Sequence, residues 1–262
     1  NYIVHGIRRR SSSINTQRID HLHNNSKILG KKLFLHYADL VDSISLEKII
    51  NTVLPDEVYN LAAQSHVKIS FDMPDYTSNV NAIGALRILE IIKNLSNKKK
   101  IKYYQASTSE MFGDSNNQYK DEKTPFYPKS PYATSKLFSY WITRNYRDSY
   151  NMFCTNGILF NHESPRRGIN FVTNKITYKL SRIVLGLDKY LELGNLDSKR
   201  DWGHAKEYCE MMWKILQVKK PSDYVIATEK QYYVKKFIEL VAKEIGFKIK
   251  WIGKGVKMIG VV

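Results

Sequence analysis

The 262-residue chain carries 41 Lys and Arg against 25 Asp and Glu, a formal net charge of +16, with 43% hydrophobic and 25% charged residues. This is ordinary globular usage with enough length for a sizeable core, and no apolar run reaches the ~20 residues that a membrane helix requires. The basic excess raises a nucleic-acid partner, but the charges are dispersed and no helix-turn-helix, zinc-finger or RNA-binding sheet signature accompanies them, so none is expected.

In chain order, residues 2–7 read as a strand running into Arg8-Arg9-Arg10 and a serine run. From residue 32 onward short apolar runs alternate with longer helical patterns: strand 33–37, helix 43–54, strand 57–61, helix 75–95, strand 101–106, helix 131–150 and strand 152–159. That rhythm is the pattern of parallel βαβ units and predicts a Rossmann-like, doubly wound α/β sheet. Beyond residue 160 a polar loop at 161–168 leads to a helix over 171–185, then helix 207–216, strand 224–227 and helix 234–245. The division expected is a cofactor domain of residues 1–161 with 204–228, and a smaller substrate region of residues 162–203 with 229–262.

Open α/β sheets bind ligands beyond the carboxyl ends of their strands. The strand at 101–106 runs into Ser107-Thr108-Ser109-Glu110, where an extended backbone sends Thr108 and Glu110 to one side. The competing reading is a helix cap or surface turn. Ser130-Pro131 then opens a helix in which Tyr132 and Lys136, four residues apart, share a face. A lysine cation there lowers the tyrosine pKa toward what a hydride-transfer enzyme needs to deprotonate an alcohol, although such pairs also occur on solvated helices.

After the strand at 57–61 stand the small residues of Leu61-Ala62-Ala63-Gln64-Ser65, suited to close passage of a cofactor or to tight helix-strand packing. At the first strand's end an NAD site would place an acidic residue, whereas Arg8 and Arg9 suit the 2′-phosphate of NADP, or else form a solvated basic turn. Cys154 and Cys209 are too few for a disulfide framework and lack zinc-site spacing, and His21 and His23 complete no metal site; a reducing, cytoplasmic compartment without a bound metal is expected.

The runs YQASTSEMFG, TPFYPKSPYATSK, NGILFNHESPRRG and SKRDWGHAKEY, in that order, resemble the GDP-mannose 4,6-dehydratase family of extended short-chain dehydrogenases. GIRRRSSSINTQRIDH, PDEVYNLAAQSHV and ATEKQYYVKKFIEL extend the resemblance over nearly the whole chain. It implies an NADP-dependent lyase that converts GDP-mannose to GDP-4-keto-6-deoxymannose, in which Tyr132 is the base at the sugar C4 hydroxyl and Lys136 its pKa-lowering partner. Thr108 would bond the C4 oxygen, and Glu110 would remove the C5 proton and assist loss of the C6 hydroxyl. Glu110 separates dehydration from simple epimerisation; another nucleotide-sugar dehydratase or epimerase is the alternative activity, and an inactive truncated subunit the other alternative.

The resemblance further implies cofactor contacts from Asp39, Leu40, Leu61, Ala62, Ala63, Gln64, Ser65, Tyr76, His162 and Arg167. GDP-sugar contacts would come from Asn161, Lys175, Gly194 and Arg200. His162 is alternatively a buried, hydrogen-bonded histidine, and Arg200 a salt-bridge partner of Asp201. Residues around Arg9 and Arg18 would reach a neighbouring protomer's cofactor in a homodimer or homotetramer. The chain opens on Asn1 without the Gly-rich turn that holds pyrophosphate in the family, and stops at Val262, so shortening at both ends is expected.

Overall fold

The computed structural model describes residues 2–113, 119–253, 255 and 258–261. Strand β1 (Val4–Arg8) pairs in parallel with β2 (Leu33–Tyr37), Val4 opposite Leu33 and Arg8 opposite Tyr37, with the short helix α1 (Asp20–His23) between them. A second sheet has the order β3 (Glu57–Asn60), β4 (Lys102–Thr108), β5 (Cys154–Leu159) and β8 (Asp223–Ile226). The β3–β4 and β4–β5 pairs are parallel, so each strand returns to the same end of the sheet through a helical crossover.

Caps set the crossover helices. Helix α2 (Ser43–Val53) starts where the Asp42 carboxylate accepts the amides of Ile44 and Ser45 at 3.1 and 3.2 Å, and ends at Leu54 in the left-handed conformation. Helix α6 (Pro131–Tyr150) starts with Ser130 accepting the Ala133 amide at 3.1 Å and proline in the first turn, and ends at left-handed Asn151. The apolar faces of α2 and α5 (Gly84–Asn94) bury Leu46, Ile50, Ile88, Leu89 and Ile92 with Tyr103 and Cys154 of the strands. All six residues of β5 are buried, and at Gly157 an added Cβ would lie 2.1 Å from the Tyr104 hydroxyl, so only glycine admits that tyrosine.

The single helix expected over 75–95 is instead α4 (Pro74–Ser78), a π-helical turn (Asn79–Ile83) and α5, preceded by α3 (Val67–Asp72). Pro74 starts α4 because its fixed φ suits a first turn and its missing N–H breaks continuity with α3. The strand expected over 101–106 runs to Thr108, two residues further.

The chain divides into two compact units, residues 1–159 with 211–225 and residues 160–210 with 226–262. In the second unit the expected polar loop begins with a strand, β6 (Asn161–Glu163), parallel to β7 (Lys199–His204), which pairs antiparallel with β9 (Gln231–Tyr233). These strands are short, three to six residues, and none shows the apolar alternation that marks a strand in sequence. Helices α7 (Val172–Val184) and α9 (Val234–Glu244) cover a separate core of Ile176, Leu196, Val234 and Ile238. Helix α8 (Ala205–Gln217) precedes β8, and β10 (Lys250–Ile252) and β11 (Ile259–Val261) form an antiparallel pair. No described helix is long and apolar enough to cross a membrane.

Candidate active site

The four residues singled out at the strand end and helix start converge in the first unit. Strand β4 ends at Thr108, which is 8% exposed, and the chain turns into a single 3-10 turn at Ser109–Met111. The extended geometry expected to align Thr108 with Glu110 therefore stops at Thr108, whose hydroxyl oxygen caps the turn by accepting the Glu110 amide at 3.2 Å. The capping role and a site role coexist, because the cap leaves the Glu110 carboxylate exposed. The turn is closed behind by the Tyr127 amide, which donates to the Met111 carbonyl at 2.9 Å. Gly113 makes that closure possible: its φ is +51° and a Cβ there would lie 1.7 Å from the Tyr127 carbonyl oxygen.

Lys136 is 3% exposed, and its ammonium donates to the Ala106 carbonyl of β4 at 2.9 Å. Burial lowers its pKa from 10.5 to about 8, because desolvation disfavours the cation. Tyr132 stands one helical turn earlier, half-buried, and its backbone amide donates to Ser70 Oγ of α3 at 3.1 Å. Helix α6 packs on β4, β5 and the 3-10 turn, so the helix that carries Tyr132 and Lys136 lies against the strand end and turn that carry Thr108 and Glu110. Such a set can take a proton from an alcohol at one point and move a proton from carbon at another.

The expected cofactor residues of this unit also assemble. Arg9 donates to the Tyr76 hydroxyl at 2.8 Å, and the neighbouring Thr77 hydroxyl donates to Gln64 Oε1 at 3.3 Å. Arg8 and Arg10 both stand over the Tyr37 ring, at 4.4 and 4.6 Å, and Arg8 Nε is buried without a hydrogen-bond partner. An orphaned guanidinium nitrogen beside two further arginines fits an incoming phosphate group. Leu40 is buried with its carbonyl accepting from Arg87 at 2.9 Å, Asp39 accepts the Val41 amide at 3.2 Å, and Leu61, Ala62 and Ser65 are exposed with Ala63 half-buried.

In the second unit, Asn161 lies opposite Trp202 in the β6–β7 pair, two residues along β7 from Arg200. Arg200 is exposed and donates to the Lys199 carbonyl at 2.8 Å, while the buried Asp201 carboxylate accepts from the Thr228 amide and hydroxyl. The expected alternative of an Arg200–Asp201 salt bridge is thus replaced by a polar contact on the opposite side of the strand. Lys175 donates to the Glu192 carbonyl at 2.8 Å, which brings it to the segment holding exposed Gly194. Half-buried His162 bonds the Phe160 carbonyl through Nδ1 at 2.9 Å and stacks on Tyr208, and burial lowers its pKa. Arg167 pairs with Glu163 at 3.2 Å and lies 3.7 Å over the Phe171 ring.

A cavity of about 720 Å³ in this unit is lined by residues including Glu163, Asn174, Trp202, His204, Tyr232 and Phe237. None of the residues singled out from sequence is in its lining. Sequence reasoning also passed over Ser70 and Asn81, buried polar residues that hold the assembled site from behind. Among the described residues no cluster of three or more His, Cys, Asp or Glu is arranged to hold a metal ion.

The chain matches the family model for GDP-mannose 4,6 dehydratase over residues 1–262. It is 56% identical over 261 residues to the GDP-mannose 4,6 dehydratase of Drosophila melanogaster, covering 99% of this chain and 66% of that protein. Against the GDP-mannose 4,6-dehydratase of Vibrio cholerae identity is 54%, with 100% and 70% covered. Against that of Homo sapiens it is 53%, with 99% and 70% covered. The chain thus spans 66% to 70% of the length of these relatives. In fold it is similar to RMD from Pseudomonas aeruginosa complexed with NADPH, with a TM-score of 0.75 at 24% identity, over 86% of this chain and 78% of that one. It is likewise similar to the dTDP-glucose 4,6-dehydratase of Streptomyces venezuelae with NAD bound, with a TM-score of 0.79 at 18% identity, over 93% and 72%.

Proposed function

The chain belongs to the GDP-mannose 4,6-dehydratase family, and from that premise we propose that the protein converts GDP-mannose to GDP-4-keto-6-deoxymannose with NADP as its redox cofactor. When bound, NADP would supply the hydride chemistry, a hydride removed from the sugar C4 and given back at C6. Arg8, Arg9, Tyr76, the segment Leu61 to Ser65 and Lys136 would hold it. The orphaned Arg8 nitrogen and the absence of an acidic side chain at positions 8 to 10 support the 2′-phosphate form over NAD.

Tyr132 takes the C4 hydroxyl proton. The Lys136 ammonium favours the tyrosinate through charge, and its bond to Ala106 holds it one turn from the phenol. Thr108 donates to the oxygen at C4 as it becomes a ketone. That ketone acidifies C5, and the exposed Glu110 carboxylate removes the C5 proton and returns it to the leaving C6 hydroxyl as water. In balance, C4 is oxidised, C6 is reduced and one water is lost. Asn161, Lys175, Gly194 and Arg200 would bind the GDP moiety, with Arg200 free to meet a diphosphate.

The observation that carries this reading is the buried Lys136 tethered to β4 directly behind Thr108, with Glu110 in the next turn. Glu110 favours dehydration over epimerisation, which needs no second acid-base group. The reading includes a cytoplasmic homodimer or homotetramer, which feeds synthesis of deoxysugars such as fucose or rhamnose. Mass spectrometry of GDP-mannose incubated with the protein and NADP tests it: a product lighter by one water is expected. Unchanged nucleotide sugar, or an isomer of equal mass, would overturn it.

A further inference from the structure

Helix α7 carries three cations, Lys175, Lys179 and Arg182, spaced four and then three residues apart, so they line one face. The helix ends in a reversal: Gly186 takes a φ of +68°, its amide donates to the Ile183 carbonyl at 3.0 Å, and the Leu187 amide donates to the Arg182 carbonyl at 2.9 Å. The next residue is acidic. A carboxylate at this point runs against the helix dipole, whose carboxyl end repels negative charge. The cations of α7 offset that repulsion: Asp188 Oδ2 accepts from Arg182 Nε at 2.7 Å and from Lys179 Nζ at 2.9 Å, and its Oδ1 accepts from Arg182 at 3.3 Å. These bonds, Arg182 first, hold the Asp188 carboxyl down at about 2.

Four residues further on, Lys175 Nζ donates to the Glu192 carbonyl at 2.8 Å, so the returning chain is tied to the same helix face twice. Around the second tie the side chains alternate: Leu191 and Leu193 pack on the core of the second unit, while Glu192 and Gly194 are exposed. The segment 187–195 nevertheless joins no strand among the described residues. Its path is set by those two leucines and by the two ties to α7. An arginine gripping both carboxylate oxygens, with a lysine beside it, is a small network, the arrangement in which partly exposed charges do contribute.

We infer that Asp188 is a positioning residue: its contacts with Lys179 and Arg182 fasten the return segment 187–195 to α7 and so set where Lys175 and Gly194 stand for the nucleotide. The inference deepens the proposed function and rests on it for the nucleotide roles of Lys175 and Gly194; the fastening stands on the contacts alone. Asp188 acts through its neighbours. Without its carboxylate the start of the return segment gains freedom, and a nucleotide must reorder that segment on binding, which costs affinity.

The test compares the protein with its Asp188→Ala and Asp188→Glu variants by amide hydrogen exchange, calorimetric titration with GDP and with NADP, and steady-state kinetics. In Asp188→Ala, exchange at the Gly186 and Leu187 amides should quicken by about threefold or more. The Kd for GDP should rise by about tenfold, with NADP affinity within about twofold of the parent. The KM for GDP-mannose should rise with that Kd while kcat stays within about twofold, the pattern of lost ground-state binding. Asp188→Glu keeps the carboxylate and should bring the GDP Kd back to within about threefold of the parent. Unchanged exchange at Gly186 and Leu187 in Asp188→Ala, or faster exchange with GDP affinity kept, overturns the inference; an equal loss of NADP affinity does so too, because it marks a general loosening. A parent that binds GDP yet forms no dehydrated product would instead refute the proposed function and leave the fastening standing.

Discussion

Ser70 Oγ accepts the backbone amide of Tyr132 at 3.1 Å while donating its own proton to the Val67 carbonyl at 2.6 Å. Tyr132 lies in the first turn of α6, where an amide has no partner within its own helix, and Ser70 is fully buried. Ser70→Ala leaves that amide unsatisfied out of reach of water. Urea unfolding should show a loss of about 1–3 kcal/mol. Because the orphaned amide belongs to the proposed base, kcat should fall with the KM for GDP-mannose nearly unchanged; equal kcat would remove Ser70 from the positioning of Tyr132.

Lys136 titrates near 8 in the folded chain against 10.5 for an unburied lysine, burial being the cause. Between those values the unfolded chain binds more protons, so stability rises with pH; the penalty is complete below about 8 and gone above the unfolded value. Lys136→Met carries no such penalty. The stability of the parent minus that of this variant, followed by urea unfolding between pH 7 and pH 10.5, should therefore climb by up to roughly 3 kcal/mol. A difference that stays flat with pH would mean that the ammonium is not desolvated.

Asp223 receives both terminal nitrogens of Arg147 at 2.9 Å, the Asn156 amide at 2.8 Å and the Tyr140 hydroxyl at 3.2 Å. Burial alone would raise its pKa, but the Arg147 and Asn156 bonds outweigh it and the net shift is downward. Asp223→Ala strands a guanidinium whose side chain is 12% exposed, and should cost about 3–5 kcal/mol. The Asp223 contribution is present above the ordinary carboxylate range and is lost as pH falls through the depressed folded value. Acid unfolding curves of parent and variant should thus converge at low pH; a constant gap would contradict the assignment.

Glu110 is exposed on its 3-10 turn, so Glu110→Gln should leave the unfolding free energy within about 0.5 kcal/mol. The same variant should lower the rate of water loss by about 10²–10⁴-fold, the usual share of a positioned acid-base group. Thermal unfolding and product mass spectrometry read the two effects separately. Full activity in this variant would assign the proton transfers at C5 and C6 to another group.

Much of the first unit was legible because its signals are local. Strand 33–37 and helix 131–150 have the bounds read from periodicity, since Ser130-Pro131 and the left-handed Asn151 mark both ends of α6 within a few residues of sequence. Tyr132 and Lys136 share a face by helical spacing alone. The interruption of 75–95 by a π turn was not legible, because Asn81 is satisfied by Gln64 and Ser135, partners 17 and 54 residues away. No pattern in a short window reports a hydrogen bond of that reach. In the second unit β6, β7 and β9 escaped for a related reason: strands of three to six residues without apolar alternation form only by pairing with one another.

The order of residue types along the chain by itself determined the parallel α/β rhythm, the kinds of chemical group at the strand ends and the family resemblance those motifs carry. Tertiary structure alone decided that Lys136 is buried against Ala106 and loses most of its solvation, that Glu110 remains exposed, and that Ser70 and Asn81 hold the site from behind. Periodicity and caps act through neighbours three or four residues apart, whereas desolvation and buried hydrogen bonds exist only once distant segments pack.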